Sequence, residues 1–360
     1  MKADRRASAF VCSVFAQIRR ALSITMCAFV FLGLSAAPLC AFGRVEEEKG
    51  GKAASPPILE YKTEILQGEL GLIRVRSSVP MEAPAAVIRR VSGSVNDAEA
   101  DAADGQSVEK SVFSAHTAKG SAGGKGADYF CFFPVPLDAA PGAYVARLEF
   151  RLDDEALSAE AAFAVVERVV PVDEIALDRK LSALRAKPSA RKAEEARLFE
   201  RILSSASEGP AYVDAAFSWP VAEHRLTSTY GDLRRYLYAD GAAASARHWG
   251  LDLAAKTGTP VSACARALVV YTGNWEIYGN VVILEHAREL FSIYAHLDSI
   301  DVAALSIIDA GEQVGTVGST GLATGPHLHW ELRYRSRAAD PESLVGHPAL
   351  GGASDAQSQP

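Results

Sequence analysis

Five side chains in the second half of the sequence are of the types that activate water on a metal. His327 and His329 stand two residues apart in Thr324-Gly325-Pro326-His327-Leu328-His329-Trp330-Glu331. Alternate residues of a strand share a face, so this run predicts two imidazoles side by side, with Leu328 and Trp330 turned into a core. His248 and Asp252 stand four apart in Arg247-His248-Trp249-Gly250-Leu251-Asp252-Leu253. Four is even, so on one strand they too share a face, and Trp249, Leu251 and Leu253 fill the other. His296 completes the set, in Ile293-Tyr294-Ala295-His296-Leu297 at the end of a predicted strand. Two histidines and one carboxylate can hold a catalytic zinc and leave a fourth position for water. The two histidines left over suit proton transfer and oxyanion stabilisation in a hydrolase. Each pattern alone arises often by chance; their combination in one glycine-rich β region is far more specific. Spacing leaves open which residues bind and which act.

Composition narrows the alternatives. The chain has 360 residues, 49% of them hydrophobic, enough for two domains with substantial cores. Its net charge is −7, and no basic stripe follows the first twenty residues, which argues against nucleic acid as a partner. Of the five cysteines, Cys12, Cys27 and Cys40 are N-terminal, and Cys131 and Cys264 fall in different predicted domains. No pair has zinc-finger spacing, so a metal site must be built from histidine and carboxylate.

Several elements must position these residues. Residues 1–41 read as an export signal: Lys2, Arg5, Arg6, Arg19 and Arg20 precede an uncharged run from Ala21 to Ala37, and Leu39-Cys40-Ala41 offers a cleavage point before Phe42. An uncleaved membrane anchor, or a lipidated Cys40, is the alternative, and each reading places the rest in the periplasm or cell envelope. Residues 42–57 read as a linker. Residues 58–170 carry alternating strands at Glu60–Ile65, Leu70–Arg76, Ala86–Val91, Tyr129–Pro136, Tyr144–Phe150 and Ala161–Val166. This spacing predicts an immunoglobulin-like β-sandwich, a spacer or a module for cell-wall protein partners. Residues 171–210 read as a helical connector, with Ser189 as N-cap and outward charges in solvent. Residues 211–347 read as a second β domain, with strands at Val269–Tyr271, Val281–Leu284, Phe291–Tyr294 and His327–Leu332. Rim loops are expected at Tyr271–Gly279 and Ala323–Gly325, and a disordered tail at 348–360.

The motifs His248-Trp249-Gly250-Leu251-Asp252, Gly258-Thr259-Pro260-Val261, Tyr278-Gly279-Asn280, Tyr294-Ala295-His296-Leu297 and Gly318-Ser319-Thr320-Gly321 through His329 come in one order. With Trp219-Pro220-Val221 and Thr229-Tyr230-Gly231 ahead of them, they closely resemble the lysostaphin/LytM-type zinc endopeptidases from Phe217 to about Pro341. The resemblance implies an antiparallel β-sheet peptidase domain and one Zn2+ bound by His248, Asp252 and His329. It implies that His296 and His327 act on the water and the oxyanion, and that the substrate is the peptide part of peptidoglycan. Which of the two is the general base stays open. Some members of the family have lost ligands and only activate other cell-wall enzymes; all five positions are kept here. A non-catalytic regulator or wall-binding protein is the rival reading. A purely structural zinc domain is disfavoured, because three ligands beside two spare histidines leave an open coordination position.

Other histidines read as structural: His286 ordering nearby backbone, His224 near the start of the domain, and His116 and His347 in loops or near the tail. Glu331 shares the face of His327 and His329, where it could orient a ligand histidine or stand as a salt-bridged carboxylate.

Overall fold

The structure, a computed structural model, describes residues 40–44, 57–78, 81–91, 107–112, 114–116, 127–152, 155–205 and 215–350. The export signal expected before residue 40 lies outside them. The described chain is mostly β, with two α-helices: α1 (Arg179–Ala186) and α2 (Ala190–Ser204).

The N-terminal half forms two five-stranded sheets. One runs Cys40–Arg44, Ile58–Lys62, Leu70–Ser77, Ala127–Pro134, Ser114–His116; the other runs Glu64–Leu66, Glu155–Val166, Gly142–Leu152, Glu82–Arg90, Ser107–Val112. Alternate residues from both, among them Leu59, Ile73, Val75, Cys131, Leu148 and Phe163, share one buried core. The strand Cys40–Arg44 falls where the signal was expected to meet the linker, and it pairs with Ile58–Lys62. Main-chain pairing needs no side-chain pattern, so its short sequence gave no signal. His116 likewise lies in a strand rather than a loop.

The other faces of two of those strands do something different. Leu70, Leu72, Phe130 and Phe132 join the core of the C-terminal domain, where Phe132 meets Tyr334 at 6.1 Å between ring centroids. Polar contacts tie the same seam. Arg168 Nη2 lies 2.6 Å from Asp340 Oδ2, Asp340 N–H donates to Gly68 O at 2.8 Å, and Arg74 Nη1 donates to Ala349 O at 3.2 Å. That last bond anchors a 3-10 turn, Pro348–Leu350, in which Ala349 and Leu350 are buried. The tail expected from residue 348 therefore cannot start before 351: two small apolar side chains and a backbone acceptor suffice to dock the turn. His347 is buried beside it and accepts a bond from Ala349 N–H. Asp340→Ala would take from Arg168 the carboxylate it pairs with at this seam, so unfolding in urea should show a loss on the order of 3 kcal/mol.

The connector is only partly helical. Val172–Ala176 is a strand, paired in parallel with Leu233–Leu237, which pairs in turn with Ala243–Arg247. Alternating Val172, Glu174 and Ala176 suits an edge strand as well as a helix, and the partner strand decides. Helix α2 does start at Ser189, whose Oγ accepts from Lys192 N–H at 2.9 Å. Its charges are not all in solvent. Arg191 donates to Asn274 O at 2.7 Å, and Glu195 accepts from Glu276 N–H at 2.9 Å.

The large sheet of the C-terminal domain is ordered Arg225–Ser228, Leu251–Ala254, His327–Tyr334, Leu290–Ile300, Gly279–Ala287, Ala267–Trp275, Ile307–Ile308. Its strands have two different faces. Leu328, Trp330, Leu332 and Tyr334 point into the main core. Opposite them, the register sets Ala295 against His329, Ile293 against Glu331 and Phe291 against Arg333. Residues opposed in an antiparallel ladder share a face. The imidazole face thus continues into an apolar patch of Phe291, Ile293, Ile283 and Trp275, against which Leu198, Phe199, Ile202 and Leu203 of α2 pack. Tyr271 to Trp275, expected in a rim loop, are the end of a paired strand. Cys131 and Cys264 are both buried, and neither is in a disulfide among the described residues.

Candidate metal centre

All five predicted residues meet on this face. Asp252 lies opposite His329 in the ladder between the strands Leu251–Ala254 and His327–Tyr334. His248 reaches the same point by another route than expected. It precedes the strand that carries Asp252, and Trp249, expected in the core, is 41% exposed. The backbone crosses tightly at Gly250, where a Cβ would sit 2.5 Å from Trp330 O and 3.0 Å from His329 Cε1. A non-glycine residue there would press on the ligand itself.

Three atoms converge: His248 Nε2 lies 3.0 Å from Asp252 Oδ1 and 3.0 Å from His329 Nδ1, and His329 Nδ1 lies 2.9 Å from Asp252 Oδ1. Zinc bonds of about 2.0–2.1 Å in a tetrahedron put ligand atoms about 3.3 Å apart, so the triangle has the right size. The far side of each imidazole is spoken for. His248 Nδ1–H donates to Thr229 O at 2.9 Å, and His329 Nε2–H donates to Glu331 Oε1 at 2.8 Å. Those bonds fix the tautomers that leave Nε2 of His248 and Nδ1 of His329 as electron-pair donors. The residues present therefore fit one divalent cation held by His248, Asp252 and His329.

Without a cation the cluster is held by charge. Burial alone would pull His329 down, but Asp252 and Glu331 hydrogen-bond to it and lift it to about 9. Burial would raise Asp252, yet hydrogen bonds from His248 and His329 hold it well below the usual carboxylate range. A cation held here would take the place of the proton on His329 Nδ1.

His296 and His327 stand beside the triangle, their ring centroids 4.9 Å apart. His296 Nδ1–H donates to Thr320 O at 2.8 Å, and His327 Nδ1–H donates to Gly325 O at 2.8 Å. Each Nε2 is left as an acceptor, and that of His327 is 3.7 Å from Asp252 Oδ1. Burial, then the neighbouring His327 and His329, push His296 down to about 3. His296 also holds a left-handed backbone, φ 61°, inside its strand rather than at its end. Its N–H donates to Tyr278 O at 2.8 Å, which over-determines the geometry. Gly279 makes this possible. At φ 63° a Cβ there would lie 2.2 Å from Thr320 Oγ1 and 2.6 Å from Thr320 O. Gly279→Ala should push Thr320 off His296 and lower the melting temperature, by roughly 1–3 kcal/mol of strain.

Sequence reasoning missed several supports. Arg234 donates from Nη2 to Asp252 Oδ2, on the oxygen that the triangle does not use. Asp232 accepts from Thr229 N–H at 2.6 Å and shapes the turn whose carbonyl holds His248. Arg333 Nε donates to Glu331 Oε2 at 2.7 Å, making Glu331 both the orienting and the salt-bridged carboxylate. Arg333 was open to discovery, since it continues the two-residue period of His327, His329 and Glu331; nothing local marked Arg234 or Asp232. His286 fulfils its structural reading, donating from Nδ1 to Arg266 O at 3.0 Å.

The profile of Peptidase family M23 matches residues 246–341, which contain all five residues. The DD-carboxypeptidase/endopeptidase Mpg of Neisseria meningitidis serogroup B is 42% identical over 98 residues, 27% of this chain and 23% of that protein. The murein hydrolase activator NlpD of Escherichia coli is 32% identical over 128 residues, 35% of this chain and 30% of that protein. The chain thus spans less than a third of the length of either relative. A Pseudomonas aeruginosa crystal structure described as a candidate M23 peptidase shares the fold, with TM-score 0.50 at 21% identity, over 78% of this chain and 94% of that one. Residues 246–341, with the His248, Asp252 and His329 triangle among them, are therefore a Peptidase family M23 domain.

Proposed function

We propose that this chain is a zinc-dependent endopeptidase of the cell envelope that hydrolyses peptide bonds in peptidoglycan stems or cross-bridges. The observation that carries the reading is the triangle of ligand atoms at 2.9–3.0 Å with two more imidazoles beside it, each presenting an acceptor Nε2. His248, Asp252 and His329 would hold Zn2+, which supplies Lewis acidity toward the scissile carbonyl and its attacking water. His296 and His327, both neutral with Nδ1–H engaged, can each receive the proton of that water. The one that has received it can then donate a hydrogen bond to the oxyanion. Arg234 and Glu331 keep the carboxylate and imidazole of the ligand set aimed.

The remaining division is part of the same proposal. Residues 1–41 would export the chain to the periplasm, 58–170 would be an immunoglobulin-like module for cell-wall partners, 171–210 a connector, and 211–347 the working domain. The similarity to NlpD, named as an activator, favours a second reading in which the chain stimulates another hydrolase. Digestion of purified sacculi, with mass spectrometry of the released muropeptides, separates the two. A peptidase yields new peptide-cleaved products alone, and a chelator abolishes them. A regulator yields none until a second hydrolase is added.

A further inference from the structure

Helix α2 lies outside residues 246–341, yet it stands one short chain of contacts from His329. Phe199 packs edge-on against Trp275 and tilted against Tyr278, with centroids 5.7 and 5.9 Å away. The Arg333 guanidinium lies over the same ring at 5.4 Å. Tyr278 O–H donates to Glu331 Oε1 at 2.7 Å, the oxygen that accepts His329 Nε2–H at 2.8 Å. Tyr278 C=O, at the other end of the residue, accepts His296 N–H at 2.8 Å. One tyrosine therefore touches the support of a metal ligand and the backbone of a proposed catalytic histidine.

We infer that Tyr278 is a positioning residue for His329, acting through Glu331, and that α2, through Phe199, sets how tightly the chain holds its metal. His329 Nδ1 is a ligand only while the proton sits on Nε2, and Glu331 Oε1 keeps it there. Glu331 is 1% exposed, so no water replaces a donor it loses. With Tyr278 silent, His329 alone holds Oε1 against the pull of Arg333 on Oε2, and the carboxylate is less firmly aimed at His329. Phe199 fixes where the tyrosine ring lies, because Trp275, Tyr278 and Arg333 all rest on it. A segment outside the family-matched residues is thereby part of the metal site.

This inference rests on the zinc reading above. The test uses the full chain and zinc alone, in competition with a chromogenic chelator at fixed pH, with the melting temperature of the metal-free protein as control. Tyr278→Phe keeps the ring and removes only the hydroxyl. Its zinc Kd should weaken about 10-fold, and the metal-free melting temperature separates that loss from the stability lost with the hydrogen bond. Combining it with Glu331→Gln should weaken binding no further than Glu331→Gln alone, since both act through one carboxylate. Phe199→Leu keeps an apolar contact and should weaken binding by a smaller factor. Wild-type affinity in Tyr278→Phe, or losses that add in the double variant, would overturn the role of Tyr278. Wild-type affinity in Phe199→Leu would overturn that of the helix. A wild-type chain that takes up no zinc would sink the enzymatic reading itself, a pattern distinct from either.

Discussion

His329→Ala is expected to weaken zinc binding by more than ~100-fold, beyond what loss of a merely supporting partner costs. Two donors would remain, and His329 is the corner at 2.9 Å from Asp252 and 3.0 Å from His248. The fold should survive. Glu331 keeps Tyr278 and Arg333, and Asp252 keeps Arg234 and His248. Differential scanning calorimetry with and without zinc reads this directly. A ligand that binds only the folded state at 100 times its Kd adds about 2.7 kcal/mol, so the wild type should melt higher with zinc. The variant should melt at one temperature in both. A variant that still shifts with zinc would place the cation elsewhere.

His296→Ala is expected to behave in the opposite way: zinc held within a few-fold of wild type, turnover lost by about 10²–10⁴-fold. The reason is geometric. His296 is not one of the three residues whose ligand atoms converge, and its Nδ1–H is committed to Thr320 O at 2.8 Å. What the chain loses is one acceptor Nε2 near the reacting water. Muropeptide release measured under saturating zinc, alongside metal content, checks both halves. Unchanged turnover would remove His296 from the chemistry and leave His327 as the sole candidate.

The period of two is what made the site legible. His327, His329 and Glu331 share a face because every extended strand alternates, whatever surrounds it. Leu328 and Trp330 are buried for the same reason. The strand argument expected His248 and Asp252 to meet, and they do, but by another road, since the two are not on one strand. The crossing at Gly250, close against Trp330 O, brings them together. Arg234 stands 18 residues from Asp252 in a separate three-stranded sheet, and no local pattern announces that contact. Val172–Ala176 became a strand because Leu233–Leu237 offered it an unpaired edge.

The sequence by itself determined which side chains could bind a cation, because ligand chemistry and strand alternation are local properties. Only the tertiary structure decided which nitrogen is free on His248 and on His296, whereas His329 and His327 find their acceptors two residues away, in Glu331 and Gly325. For the first pair the choice belongs to acceptors far away in the chain or across the sheet: Thr229 O for His248 and Thr320 O for His296. It also decided that helix α2 and the tyrosine beneath it complete the site, since packing between distant segments is fixed by register and shape, which no short stretch of residues encodes.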